Sequence, residues 1–326
     1  MVEPALDDAI AAFQPELPLA VGFSGGADST ALLLACAAKW PGQVSAVHIN
    51  HGLQVAATVF EHQCSAVCGR FNIPLQVVRV NAKANPGQSP EAAARQARYQ
   101  GFARIIQESH ALPAIQNIAL AHHADDQIET FLIALSRGAG LAGLSAMPQS
   151  LERDGITYWR PLLNVGAGEI RSWLAHKNVD FVDDPSNTDS RFLRNRIRSQ
   201  LLGPLKLTFP QLRQPFARSL SHLAQAKELL DELAVSDLAS VMQITAHSAP
   251  SPGPQIKSLQ KLSQNRQGNL VRYWLVSQHQ VIPSTAQLTE LLRQVADCVT
   301  RGHHIDLKVA QGKVMRQGEY LAWYNP

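Results

Sequence analysis

The segment from residue 24 to residue 29 combines glycines, hydroxyls and one carboxylate in a way that suits phosphate binding. It reads Ser24-Gly25-Gly26-Ala27-Asp28-Ser29, between an apolar run and a stretch of helical periodicity. Glycines remove Cβ atoms from the path of a ligand, and the free amides of a helix N-terminus attract anions. Asp28 would repel a bare phosphate, so its presence predicts a Mg²⁺ ion between them. The alternative is a tight strand-to-helix turn with an ordinary capping residue.

Three carboxylates fall within one predicted helical turn later in the chain. Asp125, Asp126 and Glu129 are three or four residues apart, and like charges that close are costly unless they hold a cation. A Mg²⁺ ion or an ammonium group would serve. His122 and His123 precede them, but adjacent residues at a strand end usually point apart, which disfavours a zinc site. In the simpler alternative, Asp125 caps the helix and Glu129 is solvated.

Arginines recur in two places where they could meet phosphate. Arg95 and Arg98 would share one face of a long helix, over the phosphates or a target nucleotide. Between residues 190 and 227 the chain has eight Lys or Arg residues and no acidic residue, which predicts a surface for a polyanion. Each set could instead be an ordinary solvated face. The group predicted to contact RNA phosphates is Arg194, Asn195, Arg196 and Arg198.

The elements that must position these residues alternate along the first half of the chain. Strands are expected at 19–23, 44–49, 75–80, 118–121 and 157–159, with helices at 28–39, 55–71, 90–109 and 125–136. This order predicts an α/β fold with a doubly wound, Rossmann-like parallel sheet, whose ligands lie at the carboxyl ends of the strands. The phosphate-binding segment and the acidic turn both follow such ends.

The pattern changes after about residue 185, which predicts two domains, 1–185 and 186–326. The second is expected to be mostly helical, with helices at 220–238 and 284–298. A Pro/Ser/Gly-rich linker is expected at 246–254, and two or three short strands at 305–324.

Composition excludes several other classes of protein. Of the 326 residues, 45% are apolar and 17% are charged, so a packed core is expected. No apolar run approaches the roughly 20 residues that cross a bilayer. The first 14 residues carry acids and no base, unlike a secretory signal, so a cytoplasmic location without a membrane partner is expected. The cysteines are predicted to be ordinary structural thiols: Cys36, Cys64, Cys68 and Cys298.

Taken together, the motifs resemble the PP-loop superfamily of N-type ATP pyrophosphatases, and within it the tRNA(Ile)-lysidine synthetase family. The phosphate-binding segment has neither the Gly-Lys-Ser/Thr of the P-loop nor the glycine spacing of dinucleotide-binding folds. The resemblance is close over about residues 17–200 and weak beyond. Besides residues 24–29, it is carried in order by 48–53, 91–99, 121–130, 137–144, 160–163, 184–187 and 194–198.

The resemblance implies an ATP-dependent ligase acting on the isoleucine tRNA with a CAU anticodon. The C2 oxygen of the wobble cytidine would attack the α-phosphate of Mg²⁺-bound ATP, and the ε-amine of free lysine would then displace AMP to give lysidine. It implies that residues 24–29 bind ATP, that Asp126 and Glu129 grip lysine, and that His122 lies beside the reacting centre. Asp28 and Arg95 join His122 as expected catalytic residues.

Two alternatives and one open question remain. A tRNA thiolase on the same fold is disfavoured because no Cys-x-x-Cys pair occurs, and a non-catalytic RNA-binding protein is disfavoured because the set of phosphate- and cation-binding residues is intact. Residues 186–326 are expected to read the shape and backbone of the tRNA. The sequence does not determine the oligomeric state, and a homodimer stays open.

Overall fold

The computed structural model describes residues 6–50, 57–81, 83, 90–108, 115–182, 189–242, 253–300 and 302–325. The chain divides into two compact units, Met1–Leu223 and Ala224–Pro326. The domain boundary predicted after residue 185 and most of the predicted linker at 246–254 lie outside the described residues. That boundary therefore stays a prediction.

The first unit is built on a six-stranded sheet, whose strands are β1 Leu19–Gly22, β2 Val44–Asn50, β3 Leu75–Arg79, β4 Asn117–Ala119, β5 Ser150–Arg153 and β6 Ile156–Trp159. Their order in the sheet is β3-β2-β1-β4-β6-β5. Neighbouring strands are parallel, except that β5 pairs antiparallel with β6. The strand order reverses between β1 and β4, and this confirms the predicted doubly wound fold.

Helices cover both faces of this sheet because side chains alternate along each strand. On β1, Leu19 and Val21 face one core cluster, and Ala20 faces another. The helices of this unit are α1 Leu6–Ala12, α2 Ala27–Lys39, α3 Ala57–Arg70, α4 Pro90–Glu108, α5 Ala124–Ser136, α6 Leu141–Leu144, α7 Ala167–His176, α8 Leu193–Arg196 and α9 Leu202–Thr208. The first cluster includes buried side chains of α1, α2, α3 and α7, and the second includes those of α4.

Several elements of the first unit have no counterpart among the predicted elements, among them α1, α6, α7, strand β5 and a π-helical segment. Strand β5 is exposed along its length, so it lacks the apolar alternation that marks a half-buried strand. It joins β6 through Asp154 and Gly155, both with positive φ, as a two-residue hairpin turn requires. Between α8 and α9 the chain forms a π-helical segment, Ile197–Leu201, a rare conformation that often occurs at functional sites.

The second unit is helical and ends in a three-stranded antiparallel sheet, as predicted. Its core includes Trp274, Leu291 and Leu321. Among the described residues, no helix has the length and apolar character needed to cross a membrane. The remaining elements are α10 Arg213–Val241, which begins in the first unit, then α11 Ile256–Leu259, α12 Gln264–His279, α13 Thr285–Asp297, β7 Asp306–Val309, β8 Gly312–Gln317 and β9 Tyr320–Tyr324.

Candidate active site

A cleft of about 900 Å³ lies in the first unit at the carboxyl ends of β1, β2 and β4. This is where the strand order reverses, the usual position of ligands in open α/β sheets. One part of its wall is apolar and the other is polar. The apolar part includes Phe23, Val47, Ile49, Phe60, Phe102 and Leu120, and the polar part includes residues of the 24–29 segment, His122, His123 and five Lys or Arg side chains.

The phosphate-binding loop is held in shape by its own hydroxyls. The Ser29 hydroxyl accepts a hydrogen bond from the backbone N–H of Ser24 at 3.1 Å and donates to the Gly26 carbonyl at 3.1 Å. Gly25 has φ +85°, and an added Cβ would lie 3.2 Å from the Cys64 sulfur, so a larger residue would be strained there. No side chain caps α2 at Gly26. The first amides of α2 are therefore available to an anion.

Asp28 stands in the first turn of α2, beside the cleft. Burial raises the pKa of its carboxyl; His123 opposes this shift and Asp126 adds to it. Among the described residues, no cluster of three or more His, Cys, Asp or Glu side chains could hold a metal ion. A lone carboxylate nonetheless suits a Mg²⁺ ion that arrives with a nucleotide, because such an ion keeps several waters and takes its other ligands from phosphates. Asp28 therefore fits a nucleotide-bound Mg²⁺.

The three carboxylates of the acidic turn diverge into two separate clusters. Asp125 accepts hydrogen bonds from Lys206 Nζ at 3.0 Å and Arg213 Nε at 3.1 Å. Burial would raise its pKa, but these two cations outweigh burial and hold the pKa below its usual range. Asp125 is thus fully compensated, and only Asp126 and Glu129 remain for a further cation.

Asp126 and Glu129 share one cation, Arg198. Its Nε donates to Glu129 Oε1 at 2.8 Å, and its Nη2 donates to Glu129 Oε2 at 3.2 Å and to Asp126 Oδ1 at 3.3 Å. The Glu129 side chain is 0% exposed, and burial raises its pKa in spite of Arg198. The alternative in which Asp125 caps this helix and Glu129 is solvated is wrong, because His123 caps α5 and Glu129 is buried.

His122 lines the cleft as a neutral imidazole. Its Nδ1 atom is buried and has no hydrogen-bond partner among the described residues. Burial lowers the pKa of His122 to about 3; Asp126 opposes the shift, and Arg160, Arg98 and Arg95 add to it. An imidazole with this pKa stays neutral throughout the physiological range.

The two arginines of α4 have different surroundings. Arg98 lines the cleft, and burial lowers its pKa. Arg95 is exposed, and its guanidinium carbon lies 5.4 Å from the centroid of the Tyr99 ring. Arg95 is not among the residues that line the cleft, so its expected catalytic role stays a prediction.

The residues of the predicted RNA-binding group also differ in their surroundings. Arg196 is exposed, whereas Arg194 Nη2 lies 3.4 Å from the Thr130 hydroxyl and Asn195 donates to the Asp189 carbonyl at 2.9 Å. Arg198 turns toward the acidic pair. Residues 184–187 and His51, which help to carry the resemblance, lie outside the described residues.

Sequence reasoning did not single out three further cations of the cleft, Arg171, Lys206 and Arg213. Lys206 and Arg213 belong to the basic stretch without acidic residues, so the sequence did carry a signal for them. Their contacts with Asp125, however, span 81 and 88 residues, and no local pattern predicts contacts over such separations. Arg171 lies on α7, an element that was not predicted. No motif pointed to it.

Two family models match the chain: a PP-loop domain over residues 3–205 and a TilS substrate binding domain over residues 255–321. The tRNA(Ile)-lysidine synthase of Polaromonas naphthalenivorans is 51% identical over 320 residues, which cover 98% of this chain and 93% of the relative. The same-named protein of Pseudomonas aeruginosa is 42% identical over 264 residues, which cover 78% of this chain but 58% of the relative. The chain thus spans little more than half of that second relative.

A similar solved structure is the U34-tRNA thiolase NcsA from Methanococcus maripaludis with its [4Fe-4S] cluster. The TM-score is 0.53 at 18% identity, covering 64% of this chain and 71% of that one. At this identity the likeness shows a shared fold alone.

Proposed function

This chain belongs to the tRNA(Ile)-lysidine synthase family, and we propose that it ligates free lysine to the wobble cytidine of the isoleucine tRNA with a CAU anticodon. The reaction would use ATP with Mg²⁺ and release AMP and pyrophosphate. The observation that carries the proposal is that the phosphate-binding loop and the Asp126/Glu129 pair follow neighbouring strands, β1 and β4. The loop lines the cleft, and so does Arg198, which bonds both carboxylates of the pair. The proposed substrates would meet in the cytoplasm.

In the first step, the C2 oxygen of the cytidine attacks the α-phosphorus of ATP and pyrophosphate leaves. The α2 amides and the loop of residues 24–29 would hold the phosphates, and Asp28 would hold the Mg²⁺ ion. The ion would supply positive charge against the phosphate oxygens. The contribution of the protein is position and charge neutralisation.

In the second step, the ε-nitrogen of lysine attacks C2 of the adenylated base and AMP leaves with the former C2 oxygen. Asp126 and Glu129 would bind lysine as an ammonium ion, which gives up a proton before its nitrogen can attack. His122 would stand beside the reacting base as a hydrogen-bonding group, because a pKa of about 3 makes it a poor proton acceptor at neutral pH.

The tRNA must offer one base to this cleft, so the wobble cytidine would leave the anticodon stack. Arg194, Asn195, Arg196 and Arg198 would meet phosphates beside the cleft. The second unit would bind the rest of the tRNA, in line with the substrate-binding family model over residues 255–321.

The thiolase alternative is not favoured by the relatives or by the thiols. Burial raises the pKa of Cys36 and Cys64 to about 12 and that of Cys68 to about 11. Thiols with such values are almost wholly protonated at neutral pH and are weak nucleophiles. A non-catalytic RNA-binding protein is also not favoured, since both relatives compared above are lysidine synthases.

The test is mass analysis of tRNA nucleosides after incubation of the CAU isoleucine tRNA with the protein, ATP and isotopically labelled lysine. The expected result is labelled lysidine at the wobble position and one AMP for each lysine attached. Omitting lysine should leave an adenylated tRNA. Lysidine formation on tRNA in which the wobble cytidine is replaced by uridine would overturn the proposed target. ATP consumption without modification of the tRNA would overturn the ligase assignment.

A further inference from the structure

The carboxylate pair proposed to grip lysine already holds a cation. All four carboxylate oxygens of Asp126 and Glu129 accept a hydrogen bond: three of them from the Arg198 guanidinium and one, Asp126 Oδ2, from the backbone N–H of His123. The Glu129 side chain is 0% exposed and that of Asp126 13%. A lysine ammonium can therefore reach Glu129 only after Arg198 has moved away.

Arg198 can leave this position by rotation of its side chain alone. The side chain is 43% exposed, although its donors reach two shielded carboxylates. The backbone is anchored beside it, because the preceding residue, Ile197, is buried in a small core cluster with Ile128 of α5. Arg198 itself lies in the π-helical segment Ile197–Leu201.

RNA offers Arg198 a second partner. Arg198 lies in the stretch of residues 190–227 that has no acidic residue, and its own side chain is exposed, so a phosphate drawn to this stretch can reach its guanidinium. A guanidinium bonds a phosphate in the same bidentate geometry with which it bonds a carboxylate. The cation can thus pass from the acidic pair to the RNA without losing that geometry.

We propose that Arg198 couples the two substrates: its guanidinium occupies the lysine ammonium position at Asp126 and Glu129 until an RNA phosphate takes it. This inference rests on the proposed function, which places lysine at that pair. Linkage requires reciprocity, so bound tRNA raises the affinity for lysine, and bound lysine raises the affinity for tRNA by the same factor. The enzyme would then reach its full affinity for lysine only when tRNA is bound, so that lysine binds where a cytidine is present to react with it.

The experiment is titration calorimetry of lysine into the whole protein without ATP, with and without saturating CAU isoleucine tRNA. For the wild-type protein, tRNA is expected to lower the Kd of lysine by about tenfold or more. Arg198→Gln, which keeps a polar side chain without charge, should bind lysine about tenfold or more tighter than wild type in the absence of tRNA. Addition of tRNA should then change that affinity little.

Further variants distinguish failure of this inference from an effect of net charge, a folding defect and failure of the proposed lysine site. Arg137→Gln removes an exposed cation at the other end of α5 and should behave as wild type, which excludes a general effect of net charge. Thermal unfolding checks that Arg198→Gln is folded; if it is not, Arg198→Lys serves, since a lysine cannot bond bidentately and should give an intermediate tRNA-free affinity. Weaker lysine binding by a folded Arg198 variant, with the tRNA effect intact, would overturn the inference and make Arg198 a direct ligand of lysine. If Glu129→Gln leaves lysine affinity unchanged even with tRNA present, the proposed lysine site itself fails.

Discussion

The imidazole Nε2 atom of His123 lies 3.6 Å from the carboxylate Oδ2 atom of Asp28. The other ring nitrogen, Nδ1, accepts a hydrogen bond from the backbone N–H of Asp126, while the Asp126 carboxylate accepts one from the backbone N–H of His123. A neutral His123 must therefore carry its proton on Nε2, toward Asp28. This contact connects the first turn of α2, which follows β1, to the N-terminus of α5, which follows β4. It therefore fixes the position of the proposed ATP site relative to the proposed lysine site.

Asp28→Ala is expected to abolish ATP turnover and leave folding intact. Loss of the carboxylate that would hold the nucleotide-bound Mg²⁺ should cost roughly a thousandfold or more in rate. The measurement is pyrophosphate release in the presence of tRNA and lysine, together with a thermal melt. Asp8→Ala is the matched control, because Asp8 is an exposed carboxylate in the first turn of α1. Near-normal turnover by Asp28→Ala would remove Asp28 from the proposed metal site.

Asp126→Asn and Glu129→Gln are each expected to adenylate the cytidine but to need much more lysine for the transfer. Each change keeps the shape of the side chain and removes its charge. Since a hydrogen bond to a charged group contributes about 1.5–3 kcal/mol, the lysine requirement should rise roughly ten- to a hundredfold. The two steps are measured separately as pyrophosphate release and incorporation of labelled lysine.

A neighbouring carboxylate provides the control for that pair. Asp125→Asn removes a charge from the same helical turn but breaks contacts with Lys206 and Arg213, so it should lower thermal stability without a comparable rise in the lysine requirement. Loss of adenylation with unchanged lysine dependence in Asp126→Asn or Glu129→Gln would assign those carboxylates to Mg²⁺ instead.

Affinity for tRNA is expected to fall steeply with salt. Replacing Arg194, Arg196 and Arg198 together by Ala should weaken binding and flatten the salt slope by about two to three phosphate contacts. Arg196→Ala alone should remove about one contact, and Arg137→Ala none, because Arg137 lies outside the basic stretch. Filter binding across a salt series measures the slope. An unchanged slope in the triple variant would mean that the RNA lies elsewhere.

Stability is expected to fall as the pH drops below about 6.5, the ordinary pKa of histidine. Burial lowers the pKa of His122 to about 3, so between these two values the unfolded chain binds a proton that the folded protein excludes. The free energy of unfolding must then decrease toward acid. The free energy of unfolding is measured by urea titration at pH 8, 6 and 5, and in His122→Gln its decrease toward acid should be smaller than in wild type. His222→Gln, which changes an exposed histidine, should show the same decrease as wild type. Identical slopes for wild type and His122→Gln would mean that His122 titrates normally.

The sequence by itself determined the α/β fold and the neighbourhood of the site, because both depend on local patterns. Short apolar runs alternating with helical periods predicted five strands of the six-stranded sheet and the helices α2 to α5, and they placed the loop at 24–29 and the turn at 122–129 after strands β1 and β4. The same reasoning missed β5, since an exposed edge strand has no apolar alternation to detect. Residues 186–326 were correctly expected to be mostly helical with terminal strands, although α12 was not predicted.

Only the tertiary structure decided which charges meet. Spacing on a helix predicted that Asp125, Asp126 and Glu129 would share a turn, but Asp125 faces cations 81 and 88 residues away, and Glu129 faces Arg198 across 69 residues. Such partners follow from how separate elements pack, and no local period encodes that. The sequence predicted Arg198 as a contact for RNA phosphate, whereas the fold turns its guanidinium onto the carboxylates proposed for lysine. Charge and spacing therefore identified the residues, and packing over long chain separations assigned their partners.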